Sequence, residues 1–224
     1  MQRRIRTSVA AAAILIAASI VGTSANASVI AVTSGFFSGD PVTTFSGLAD
    51  GTEVNGLTVN GIHFNYLIGG TPTNGQVVID GGPGVTNNIS PPNIVSVPSG
   101  NNAGTLMLTL PTSASALGYG FAVLSTGSLP AATTITLFNG TTNVGSLSYP
   151  GAHDPNFTGG FAGIESTLPF NIVDITFNSV NAPAFAADNF VFAGGTPVPE
   201  PETFALVASA LAGLIAIRRR VVTV

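Results

Sequence analysis

Between Ser28 and Thr196 apolar and polar residues alternate in short runs, and no window sustains the 3.6-residue apolar period of a helix. The alternation predicts strands at Gly61–Ile68, Gln76–Asp80, Thr105–Leu110, Leu117–Leu124, Thr133–Phe138, Asn143–Tyr149, Asn171–Phe177 and Ala187–Phe192. Asn139-Gly140-Thr141-Thr142 separates two of these runs and carries the Asn-Gly cue of a tight hairpin. Gly-Pro-Asn clusters fill residues 71–102, which read as long surface loops around one or two strands. Many short strands with frequent turns predict an all-β, antiparallel sandwich or barrel.

The two ends break this pattern. Arg3, Arg4 and Arg6 precede the apolar run Val9–Val21, and Ala25-Asn26-Ala27 gives a small-residue cleavage site before Ser28. This is the layout of a signal peptide over residues 1–27, exported by the general secretory machinery. An uncleaved anchor is the alternative reading. At the other end Val198-Pro199-Glu200-Pro201 is held extended by its prolines. An apolar helix predicted over 203–217 follows, and Arg218, Arg219 and Arg220 close it. The apolar core Phe204–Ile217 spans about 21 Å as a helix, short against a hydrocarbon core of about 30 Å. Snorkelling arginines make up the difference. The chain thus divides into a leader 1–27, a β domain 28–196 and a tail 197–224.

Charge narrows function. The six basic residues are all Arg and all lie in the end segments. The β domain holds Asp40, Asp50, Glu53, Asp80, Asp154, Glu165, Asp174 and Asp188 against no Lys or Arg, a formal charge of −8. Such a domain cannot neutralise phosphates, which excludes nucleic acid and anionic lipid headgroups as partners. The flanking arginines favour the cytoplasmic side, so the domain is expected outside the cell with both unprocessed ends inside. There is no cysteine, hence no disulfide framework and no thiolate chemistry.

The tail resembles the PEP-CTERM sorting domain of exported bacterial proteins, through the Pro199-Glu200-Pro201 triplet, the apolar helix and the Arg cluster in that order. An ordinary C-terminal anchor is the alternative. The resemblance implies processing by an exosortase, membrane anchoring through the helix until then, and residence in the cell envelope or extracellular matrix. It further implies a link to exopolysaccharide or biofilm. The β domain resembles the jelly-roll modules found in such proteins, through Phe45–Phe64, Phe161–Phe170, Ile175–Phe177 and Ala187–Phe192. That resemblance implies a jelly-roll-like sandwich and one structural calcium ion between its first and last strands. Asp188 sits in an otherwise apolar run with no cation in the domain to pair it. Asp188, Glu53 and Asp50 are the expected oxygen ligands, with Asp40 in reserve.

No catalytic residue is expected. His63 and His153 lie far apart in the sequence, His153-Asp154 has no Gly-x-Ser-x-Gly elbow to serve, and no spacing singles out a carboxylate pair. Sugar platforms favour exposed Trp and Tyr. The chain has no Trp, so Tyr149 beside Pro150 is the expected exposed ring, while Phe190 and Phe192 are expected in the core. The sequence reading is therefore a non-enzymatic structural or adhesive envelope protein. The alternatives are a calcium-stabilised module binding extracellular polysaccharide and, further off, a glycan-active enzyme.

Overall fold

Strand pairing decides the architecture. The computed structural model describes residues 27–79, 89–96 and 103–194. The short early strands are β1 (Val29–Ala31), β2 (Val42–Thr43), β3 (Thr52–Glu53), β4 (Leu57–Val59), β5 (Ile62–Ile68), β6 (Thr71–Pro72), β7 (Gln76–Ile79) and β8 (Asn93–Ser96). The long ones follow: β9 (Thr105–Val123), β10 (Leu129–Asn139), β11 (Thr142–His153), β12 (Thr158–Phe177) and β13 (Phe185–Gly194). Every pairing among them is antiparallel. The only helical turn among the described residues is the 3₁₀ turn Ser34–Phe37.

The long strands fold this ladder into two layers. β9 and β12 pair along most of their length, but the register slips between Glu165 and Ile172. Pro111 and Pro169 sit at that slip and cannot donate to a ladder. Strands that bend at such irregularities pass from one sheet to the other. The first sheet runs β11, β10, the second half of β12, the first half of β9, then β5, with β4 and β6 beyond. The second runs from the first half of β12 to the second half of β9, then β13, β8, β7 and β3. β2 joins the last strand through Thr43 and Phe190, so the two ends of the domain lie side by side in a jelly-roll-like arrangement.

Aromatic rings fill the space between the sheets. Phe64 on β5 meets Phe190 on β13 edge-on at 5.4 Å, and Tyr119 stacks on Phe190 at 5.4 Å. Phe177 and Phe185 stack at 4.0 Å. The Tyr119 hydroxyl pairs with Thr133 across the core, and Thr133 Oγ1 donates to the Thr176 carbonyl at 3.0 Å. Phe190 is fully buried as the alternation predicted, and Phe192 packs against the core from its edge.

The outer faces differ. On the second sheet, Phe37, Phe161 and Val32 cover Ala116 and Val191, while Ile89 and Phe157 cover Ala122 and Ala186. Small residues on β9 make room for this layer. A Cβ at Gly118 would overlap the Phe161 ring and come within 2.8 Å of Phe37. No such buried apolar cluster forms on the outer face of the first sheet among the described residues, and its side chains are partly or fully exposed.

The predicted strands recur with changed bounds. Thr105–Leu110 and Leu117–Leu124 are one bent strand, and the Asn139–Thr142 hairpin closes around Gly140 at φ 58. The first half of β12, Thr158–Leu168, went unpredicted. It is rich in glycine and buried on both faces, so it shows no alternation. A Cβ at Gly163 would lie 2.5 Å from the Val32 carbonyl oxygen, a close approach that explains the glycine.

Candidate functional site

Asp188 is the most deeply buried carboxylate described, only 1 % exposed. It lies on the covered face of β13, where the register slips between Asp188 and Val191 and Asn189 takes a left-handed φ of 54. Oδ2 accepts from the Ser90 N–H at 3.3 Å, and Oδ1 has no hydrogen-bond partner. Burial pushes its pKa up to about 6, against the pull of the Asn189 and Ser90 N–H groups.

The expected calcium set does not assemble. Glu53 on β3 reaches β13 only through β7 and β8. Three strand spacings are about 14 Å, whereas calcium ligands lie about 2.3–2.6 Å from one shared ion. Glu53 instead accepts from the Gly75 N–H through Oε2 at 3.2 Å, and Asp50 is exposed in the turn before β3. Among the described residues no three His, Cys, Asp or Glu side chains come together as a metal site. The sequence alone gave no measure of how many strands would come between the early loop and the last strand.

Tyr149 also departs from expectation. It is 7 % exposed, its hydroxyl donates to the Gly163 carbonyl at 2.7 Å, and burial raises its pKa. It follows Leu147 on the inward face of β11, while Ser146 and Ser148 point out. Tyr66 and Tyr119 are buried as well, so no Tyr side chain is presented as a platform. The histidines serve local structure: His63 Nδ1 lies 3.0 Å from Thr58 Oγ1, and His153 Nδ1 lies 3.1 Å from Thr158 Oγ1. Asp154 Oδ1 accepts from the N–H groups of Asn156 and Phe157 at 3.0 and 2.7 Å, shaping the turn before β12.

Two features remain for chemistry. One is a groove of about 420 Å³ beside the end of β13, lined by Pro41, Thr43, Asn60, Pro111, Ser113 and Phe192 among others, without a charged group. The other is Asp174 on the open face of the first sheet. Its side chain is partly exposed, Oδ1 has no hydrogen-bond partner, and desolvation raises its pKa. The sequence reading passed over Asp174. The alternation of Ile172, Asp174 and Thr176 with Val173 and Ile175 marks it as outward, but its neighbours on other strands follow only from the register.

The tail lies outside the described residues, as do leader residues 1–26 with the cleavage residue Ala25. No helix among the described residues is long and apolar enough to cross a membrane, and 203–217 is not among them. Residues 197–220 match the family described as the PEP-CTERM protein-sorting motif. The chain therefore carries the mark of an exosortase substrate. No curated protein matches it. Among solved structures, two mutants of a family 29 carbohydrate-binding module align at 13% and 12% identity with TM-scores of 0.39 and 0.38. They cover 75% and 77% of this chain and 94% and 99% of theirs. A third structure, named as that family's module, aligns at 12% identity and a TM-score of 0.34, covering 64% of this chain and 88% of its own. At this level the assignment of the fold rests on the chain's own strand pairing.

Proposed function

We propose that this is an exported envelope or matrix protein whose β-sandwich is a non-catalytic structural or adhesive surface, delivered by a tail that an exosortase cleaves. The observation that carries this reading is the sorting-motif match at 197–220, which starts three residues after β13 ends at Gly194. In this reading residues 1–27 direct export and are removed between Ala27 and Ser28. The helix 203–217 holds the chain in the membrane, Arg218–Arg220 stop it, and Val198–Pro201 offer an extended stretch without competing secondary structure to the protease. The released domain carries no Lys or Arg, so its partners in an exopolysaccharide matrix are neutral or cationic rather than anionic.

Fractionation of a host that possesses an exosortase tests it. Wild type is expected outside the inner membrane, and a Glu200→Ala, Pro201→Ala variant is expected to stay with it. Identical distributions of the two would remove the basis for the proposal. A carbohydrate-binding role is the second reading, favoured by the open, uncharged-rimmed face around Asp174.

A further inference from the structure

The open face of the first sheet is ordered by its register. Its central row runs Ser146, Thr136, Asp174, Met107 and Asn65 across β11, β10, β12, β9 and β5. On one side of Asp174 lies the row Thr134, Thr176 and Thr105; on the other lies Phe138, Ile172 and Thr109. Five strands span about 19 Å and three rows about 13 Å. Outer hydroxyls are already held in place: Thr134 pairs with Ser148 at 2.8 Å and Thr136 with Ser146 at 3.0 Å. All of these side chains are partly or fully exposed.

We infer that this face binds a neutral polysaccharide, with the Asp174 carboxylate accepting hydroxyl hydrogens at its centre. The inference deepens the adhesive role proposed above and rests on it for the extracellular setting. Four observations select this occupant. The domain has no Lys or Arg, so an anionic polymer would meet Asp174 with nothing to offset the repulsion. Thr, Ser and Asn make up most of the face, and a charged carboxylate sits at its middle, unlike the charge-depleted core of a protein interface. Asp174 Oδ1 is shielded from solvent and has no hydrogen-bond partner, so the carboxylate needs donors once it turns outward, and no cation of the domain can supply them. Paired O–H groups on a sugar ring are such donors, and charge-assisted bonds to them are the stronger kind. The terminal torsion of an Asp side chain is broad, so either oxygen can turn to meet them. Met107 and Ile172 flank Asp174 across and along the strands, giving the C–H face of a ring an apolar floor.

The test uses the full-length chain in a sugar-free detergent, titrated calorimetrically with cellohexaose, mannohexaose, xylohexaose and, as the anionic probe, hexagalacturonate. At least one neutral hexasaccharide is expected to bind and hexagalacturonate is not. Asp174→Asn is expected to weaken binding at least tenfold, about 1.4 kcal/mol, with a melting temperature no lower than that of wild type. Thr109→Arg, which projects bulk across the same face, is expected to abolish it, while Glu53→Gln at the far edge of the second sheet leaves it unchanged. Three results would overturn the inference: no binding by any neutral probe, preference for hexagalacturonate, or affinity untouched by both Asp174→Asn and Thr109→Arg. Tail cleavage, scored on the same variants in the exporting host, reports on sorting independently of the sugar result.

Discussion

Replacing Asp188 by Asn removes a charge from the covered face of β13 and should flatten an unusual pH dependence. The carboxyl is 1 % exposed, and burial lifts its pKa from 3.8 to about 6. That difference corresponds to about 3 kcal/mol of preference for the neutral form in the folded state. The sign follows from proton uptake. Between these pH values the folded chain holds the proton and the unfolded chain does not. The stabilisation is therefore complete below pH 3.8 and lost as pH rises through 6. Urea unfolding followed by far-ultraviolet circular dichroism at pH 4, 5, 6 and 8 measures it. For wild type the midpoint is expected to fall by roughly 1–3 M from pH 4 to pH 8 through this group, given about 1–3 kcal/mol per molar urea. Asp188→Asn keeps an acceptor for the Ser90 N–H, flattens that fall, and is more stable than wild type at pH 8. Asp174, also raised, adds a smaller dependence of the same sign that survives in the variant. The reasoning fails if the variant keeps the wild-type pH profile, or if it is less stable than wild type at pH 8.

Other substitutions probe packing. Gly118→Val places a side chain into the Phe161 and Phe37 rings and should cost about 1–3 kcal/mol in chemical denaturation, whereas an unchanged midpoint would mean that layer is loose. Phe190→Ala empties the contact between the sheets and should cost about 3–5 kcal/mol, a large share of the roughly 5–15 kcal/mol of an ordinary domain, read as a matching drop in the urea midpoint. With Glu53 and Asp50 three strands from Asp188, melting in millimolar calcium and in EDTA should agree within about 1 °C. A rise of about 5 °C or more in calcium would show an ion bound by other groups.

Much of the fold was legible because alternation is a local signal. The first half of β9 and the second half of β12 each bury one face, and Thr105–Leu110 and Asn171–Phe177 show it plainly. Thr158–Leu168 is covered on both sides, so its glycines replace alternation with close approach to Val32. Sites demand long-range information. The reading of Asp188 as a carboxylate in an apolar environment was sound, since its own strand announces it. The choice of Glu53 and Asp50 as its companions needed the order of strands in the sheet, which no local pattern encodes. The same holds for Tyr149, whose place beside Pro150 suggested exposure while its step of two from Leu147 turned it inward. Asp174 acquires meaning only when Thr136 and Met107 are brought beside it by register.

The central claim is that the tail sorts and is then removed. Intact-mass measurement of the mature protein from an exosortase-bearing host tests it most directly. The account predicts a chain that begins at Ser28 and ends near Val198–Pro201, without Arg218–Arg220, and the full tail in a host lacking the protease. A mature chain that keeps Arg218–Arg220 in the presence of an active exosortase would contradict it.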